Sequence, residues 1–455
     1  MANRRRRSSP PDPAAVSHVP IHLNQQTPTA RIDRPRYRWY LLTVLTGIYA
    51  SHAMDRAVTS VILQPIKLEF GLTDGQTGAL GGLTHGIAFC LAVLPLGWLS
   101  DRVNRRNLLS TLLAVWSAIT FIAGFAQNFV TLLAVRFFVG GAEAGASPLS
   151  MSLISDVFPP RQRATAIGVL YLGLAVGQGL IFLIGGHIAQ HHGWRAVYMF
   201  AGIPGLILAV ILLFTTRESR RGASDAGRIA TSPAVSPGDV MKHIRSSPAV
   251  LLLIVGATAA ATATNAIWAW MATLLIRKHH LEIHEAGLVL ALAAGVFSGV
   301  GSSIAGPLSE LFSKGRRERL GVVAAVTTII ALPLGCLAIF AHSTNICIGA
   351  TLTLGLTLGA WLSPTFSLLL DLTPSNMRGS VMSAVQLTAN FFAIGIAPFL
   401  VGLISDWIGG TNSLAPAMAS VFTTELIAAI AFLAAARSSS KEPIAGSLKY
   451  STPAA

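Results

Sequence analysis

Residues 77–98 read TGALGGLTHGIAFCLAVLPLGW, and the chain then turns polar through Leu99-Ser100-Asp101-Arg102-Val103-Asn104-Arg105-Arg106. No Asp, Glu, Lys or Arg interrupts the apolar stretch. A helix of that length rises roughly 33 Å, enough to cross a hydrocarbon layer of about 30 Å, and the charged stop marks the return to water. Eleven further runs share the pattern, at about 39–62, 107–126, 129–152, 164–189, 194–216, 249–276, 284–308, 320–341, 345–370, 379–405 and 414–436. Backbone groups in lipid must be satisfied within the segment, so each run is predicted to be a helix. Composition agrees: of 455 residues 52% are hydrophobic and only 11% charged. The mean hydropathy is +0.61. Soluble and disordered classes are excluded, and continuous rather than alternating runs exclude a porin-type barrel.

The net charge of +14 resembles a nucleic-acid footprint until the charges are placed. Of the Lys and Arg outside the apolar runs, 27 fall on the termini and even-numbered connections. Only Lys67, Arg195, Arg277 and Lys278 fall on the odd ones. That asymmetry predicts an inner (plasma) membrane protein with both termini cytoplasmic, and no nucleic-acid partner. The expected organisation is a disordered basic tail at 1–38, a six-helix bundle at 39–216, a cytoplasmic linker at 217–248, a second six-helix bundle at 249–436 and a tail at 437–455. No cleaved signal peptide is expected, because no small-residue cleavage site follows the first apolar run. Cys90, Cys336 and Cys347 lie in apolar runs without metal-ligand spacing and read as buried free thiols.

The halves echo one another. Gly97-Trp98-Leu99-Ser100-Asp101 before Arg105-Arg106 is matched by Gly306-Pro307-Leu308-Ser309-Glu310 before Arg316-Arg317. Asp156, Pro159 and Arg163 are matched by Asp371, Pro374 and Arg378. Duplicated halves around a midplane site are how many secondary transporters are built.

Here the stretch from Gly97 to Arg106 resembles the loop motif of the major facilitator superfamily, with Asn104 where glycine is usual. Arg136-Phe137-Phe138-Val139-Gly140 resembles its fourth-helix motif. Met54-Asp55-Arg56, Gln64-Pro65-Ile66-Lys67, Gly141 to Pro148, Ser155 to Arg163, Ile276-Arg277-Lys278-His279 and Glu285-Ala286-Gly287 are similar to bacterial Spinster-like transporters. The organic-anion/proton symporter branch shares the Asp-Arg pair and the helix-4 ions and is the second choice. Two departures stand out: Glu310 replaces the usual Asp, and helix 5 lacks the antiporter Gly-Pro motif. The resemblance implies an all-α membrane protein with twelve transmembrane helices in two six-helix bundles. It also implies a cytoplasmic gate at Asp101, Arg102 and Arg106, completed by Asp156, Arg163, Glu310 and Asp371.

Charges at membrane depth are costly unless paired or hydrated, so each is a candidate functional group. The first half holds Asp55 and Arg56 in its first run and Arg136 and Glu143 in its fourth. If the two helices pack together, two carboxylates and two guanidiniums share one cavity. A proton carrier must load and release near working pH. Burial raises a carboxylate's pKa and a nearby arginine lowers it, so an anion competing for the arginine would switch it. Asp55 and Glu143 are therefore expected to couple protons, and Arg56 and Arg136 to bind an anion. A permanent salt bridge fixing the two helices is the plainer reading.

The second half offers polar groups instead: Asn265 and Trp268 in its first run, Gln386 and Asn390 in its fifth, more often helix-to-helix hydrogen bonds than ligand contacts. Glu425 is its one deep acid. His52 and His85 read first as packing residues, and the loop histidines His279, His280 and His284 as solvated. No nucleophile elbow, phosphate loop or metal cluster is present, so no cofactor is expected and an ion or substrate gradient must supply the energy. The expected partners are an organic anion or lysolipid-like substrate, the proton and the lipid bilayer, with the chain a monomer. A symporter of a small carboxylate or sugar acid, a non-transporting membrane sensor and a membrane enzyme are the alternatives.

Overall fold

The computed structural model describes residues 35–100, 102–219, 236–374 and 376–442. Most of the expected tails, Asp101 and the middle of the expected linker lie outside them.

Among the described residues the chain is helical, and ten helices are long and apolar enough to span a membrane. One of these, Thr165–Thr215, is twice the needed length. Gly193 breaks it with φ 76°, a conformation a side chain would resist. It therefore counts as α5 (160–192) and α6 (194–215). The remaining helix, α1 (Pro35–Phe70), is polar for a span because it carries the Asp55-Arg56 pair. Twelve spans result. The others are α2 (74–100), α3 (Arg105–Ala123), α4 (Phe129–Glu143 continuing as Ala146–Val157), α7 (Pro248–His279), α8 (283–313), α9 (Glu318–Phe340), α10 (Thr344–Ala360 and Leu362–Leu372), α11 (378–408) and α12 (Leu414–Phe422 and Thr424–Ser439). α1 starts at Pro35, so Arg36 and Arg38 are helical rather than tail. The expected linker contains an amphipathic helix, Pro237–Ser246, that buries Val240 and Ile244. Of the three thiols only Cys347 is buried; Cys336 is exposed on a span's outer face.

The duplication is visible in geometry. Arg163 donates from Nε to the Phe158 carbonyl, and Arg378 donates from Nε to the Thr373 carbonyl, the same five-residue reach in each half. α4 breaks after Glu143 and α10 breaks at Trp361, at corresponding places. Gly140 lies so close to α2 that a Cβ would strike the His85 carbonyl, and Gly355 of α10 stands in the same relation to Ala293 of α8.

Call the end bearing the arginine-rich loops the basic end. The halves join from the other end to mid-depth. Gly78 and Gly82 of α2 abut Pro398 and Ile394 of α11, Gly86 abuts Gly395, and Gly186 of α5 abuts Gly287 of α8. α2, α8 and α11 each carry a π-helical turn at this seam, at Ala79–Leu83, Ala291–Phe297 and Asn390–Ile396. Such turns re-aim side chains inside otherwise regular helices. One apolar core runs through both halves here. A second core, built on Leu253, Leu368, Val385 and Phe432 with the linker helix, is confined to the second half toward the basic end. Past Gly86, Leu91, Leu94 and Trp98 of α2 are exposed, as are Ser383 and Gln386 of α11.

Candidate functional site

Helix packing through small residues assembles the site. Gly173 and Gly177 of α5 let α1 lie against it at the Thr46 and Ala50 carbonyls, and Gly140 presses α4 onto α2. These approaches bring one turn of α1, the end of the first piece of α4 and His85 of α2 together.

Glu143 is at the centre, 1% exposed. Its Oε2 lies 3.2 Å from His52 Nε2, 3.5 Å from Arg56 Nε and 3.5 Å from His85 Nε2. Both imidazoles thus face the carboxylate, which the spacing alone did not favour. Asp55 is fully buried, with Thr120 and Trp116 of α3 as polar neighbours. Arg136 donates from Nη1 to the Asp55 backbone carbonyl at 3.0 Å. The two arginines differ in access: the Arg56 side chain is 24% exposed, whereas Arg136 as a residue is 2% exposed. Arg56 also reaches across the seam, donating from Nη2 to Asn390 Oδ1 at 2.6 Å, and its guanidinium sits 5.3 Å from the Phe89 ring.

Of the polar groups expected from the second half, only Asn390 joins this cluster. Its Nδ2 donates to the Gln386 carbonyl, while the Gln386 side chain is exposed toward the basic end. Asn265 spends its amide on the Ala261 carbonyl of its own helix, and Trp268 is buried. Glu425 is buried in α12, and among the described residues neither of its carboxylate oxygens has a hydrogen-bond partner.

At the basic end the hub is Arg105, which the sequence reading passed over for its neighbours. It is 3% exposed, 2.5 Å from Asp156 and 2.9 Å from Glu218. Arg106 donates to the Thr216 carbonyl, Arg102 stacks on Trp98, and Arg163 binds the Phe158 carbonyl. Asp101, expected in the gate here, lies outside the described residues. Among those described, Glu218 accepts the Arg106 backbone N–H at the α3 N-terminus. Glu310 and Asp371 are exposed, and among the described residues neither has an ion-pair partner.

A second polar hub, at the other end, was not anticipated. Asp74 is 2.5 Å from Lys67, accepts both terminal nitrogens of Arg277 at 2.7 and 3.0 Å, and accepts the Ser405 hydroxyl. Arg277 also donates to Gln64. Asp406 accepts the backbone N–H groups of Asp74 and Gly75. α1 and α2 are thereby tied to α7 and α11. Gln64, Lys67 and Arg277 lie in the stretches that carry the Spinster-like resemblance, and the Thr73-x-x-Gln76 capping box starts α2 beside them.

Comparison with known proteins agrees with this architecture. The chain is 26% identical over 422 residues to an MFS-type efflux pump of Mycolicibacterium smegmatis, covering 90% of this chain and 96% of that one. It is 32% identical over 247 residues to protein spinster homolog 1 of Rattus norvegicus, covering 52% of this chain and only 46% of the rat protein. Among solved structures it matches a bacterial homologue of the human lysosomal transporter spinster, in an inward-facing and unoccupied conformation. The TM-score is 0.79 at 26% identity, over 90% of this chain and 98% of that one. A family of transporters, not enzymes, is indicated, handling a small-molecule substrate across the membrane. The Major Facilitator Superfamily model matches residues 45–398, and the chain belongs to that superfamily.

Proposed function

We propose that the chain is a proton-coupled secondary transporter that moves an organic anion by alternating access. The observation that carries this reading is Glu143, sealed from water among His52, His85 and Arg56, with Arg56 bonded to the opposite half. A buried carboxylate tied to a movable cation is a proton site whose affinity changes with the cation's position. An anion that engages Arg56 withdraws it from Glu143 and Asn390 together, linking substrate, proton and the seam between the halves. Arg136, sealed and bonded to the Asp55 backbone, acts as a positioning residue, which leaves Arg56 as the anion contact. The Phe89 ring beside Arg56 favours an anionic amphipath of lysolipid type over a small carboxylate or sugar acid, and the relatives named as spinster homologues support the same choice.

The asymmetry of Lys and Arg supports a cytoplasmic basic end, with both termini there and the chain in the inner membrane. The division into two six-helix bundles about the 217–248 linker follows the repeated contacts. The halves join at the other end and to mid-depth, and the Arg105–Asp156–Glu218 network lies at the basic end of the first half, which supports a gate there.

Uptake into proteoliposomes tests the function. Lysolipid-like anions, small carboxylates and sugar acids are presented with and without an imposed pH gradient. Gradient-dependent accumulation of the amphipath alone is expected. Transport indifferent to the gradient overturns proton coupling, and transport of only small acids overturns the substrate class.

A further inference from the structure

A cavity of about 730 Å³ lies within the second half, lined by α8, α9 and α10 alone. No residue of the first half, α7 or α11 borders it, so it is separate from the seam between the halves and from Glu143. Its walls are apolar, from Gly301, Leu308 and Phe312 on α8 to Val326 on α9 and Leu356 on α10. Several of these, Phe312 at 61% among them, are exposed on the outer surface of the spans. At the inner end Gly301 meets the Leu356 carbonyl so closely that a Cβ would not fit, which closes the groove at mid-depth. At the other end stands Arg319.

Two features select an occupant. From Gly301 to Phe312 the groove follows twelve residues of helix, a rise of roughly 16 Å, about one leaflet of a 30 Å hydrocarbon layer. Arg319 is half-buried at the level where that leaflet's headgroups lie. Its side chain's one hydrogen bond among the described residues is a 3.4 Å donation to the Phe312 carbonyl, leaving most of the guanidinium's five N–H donors for a ligand. Its surroundings are basic on balance: Lys314, Arg316 and Arg317 outweigh Glu310 and Glu318.

From this geometry we infer that the α8–α10 groove is a binding site for a single acyl chain of an anionic glycerophospholipid of the surrounding bilayer, with its phosphate on Arg319. The chain fills the apolar wall and the phosphate meets the guanidinium; a quaternary ammonium on that phosphate would stand among the like charges of Arg319 and its basic neighbours, so a headgroup of net negative charge is favoured over a zwitterionic one.

The test is native mass spectrometry of the purified, delipidated full chain with phosphatidylglycerol or phosphatidylcholine of identical acyl composition. Wild type should retain phosphatidylglycerol about tenfold better, because that lipid lacks the ammonium that the basic cluster repels. Arg319→Gln should erase the preference, and Val326→Trp, which fills the groove, should lower retention of both lipids. Equal retention of the two lipids by wild type, or a preference unchanged in Arg319→Gln, overturns the site. Should Val326→Trp fail to fold, a phosphatidylglycerol with a photoactivatable acyl chain replaces it on the wild-type chain. Labels concentrated in 301–312 and 322–327 support the site, and labels spread evenly over the spans overturn it.

Discussion

Glu143 touches two imidazoles and a guanidinium without a drop of its surface in solvent, so its charge depends on what those three partners do. Glu143→Gln and Asp55→Asn keep the shape of the protonated acids and remove the site that releases the proton. Both variants should lose accumulation driven by a pH gradient while retaining substrate exchange, as measured in the same proteoliposomes. Arg56→Ala should instead weaken substrate binding by about ten- to hundredfold, the worth of a charge-assisted hydrogen bond, read as a loss of ligand-induced thermal stabilisation. If all three variants lose stability, binding and exchange in parallel, the cluster is only a brace between α1 and α4. The four ions of this site were legible in the sequence because a charge in an apolar run demands an explanation. His52 and His85 were not, because a neutral imidazole is compatible with ordinary packing. Only the contact of α2 with α4 puts His85 beside Glu143.

Asn104 shows how an element can depart from a family pattern and keep its function. Glycine is usual there, yet the backbone has φ −66° and ψ 114°, which any residue adopts, and the side chain accepts the Asn107 N–H at the start of α3. Asn104→Ala should therefore lower stability by about 1 kcal/mol, and Asn104→Gly by only a few tenths, both measured by thermal unfolding. A stabilising Asn104→Gly would mean the turn wants glycine after all. Gly140 is the opposite case. Gly140→Val drives a side chain into the His85 carbonyl, so it should destabilise by about 1–3 kcal/mol and cut transport more than Asn104→Ala does, because it moves a Glu143 partner. The helices themselves were legible from run length. The breaks in α4 and α10 fall where Pro148 and Pro364 cannot donate to the Ala144 and Ala360 carbonyls, a signal that run length alone passes over; the three π turns, which lie at contacts between helices, were not legible.

At the scale of the molecule one apolar core runs through both halves, and toward the basic end the second half has a core of its own. Across the end where the halves join, the Asp74 hub links Lys67 of the first half to Arg277 and Ser405 of the second. The hub was not legible in the sequence because Lys67 and Arg277 are 210 residues apart and neither of the stretches that hold them points to Asp74. In an alternating-access cycle this hub must break when that end opens, so it biases a two-state equilibrium without touching substrate. Removing its charge should favour opening by about 1.5–3 kcal/mol, or roughly ten- to hundredfold in the closed-to-open ratio. Spin labels at Gln76 and Asn412, both exposed at that end on opposite halves, would report it by electron–electron distance in a background lacking Cys90, Cys336 and Cys347. Asp74→Asn and Arg277→Gln should each lengthen the dominant distance. Glu69→Gln is the control: it breaks the Glu69–Arg195 pair at 2.7 Å, which joins two parts of the same half, and should leave the distances as in wild type. If the two hub variants match wild type, the shared core alone keeps this end closed; if the control shifts as they do, loss of any charge pair there suffices, and the Asp74 hub is not the latch.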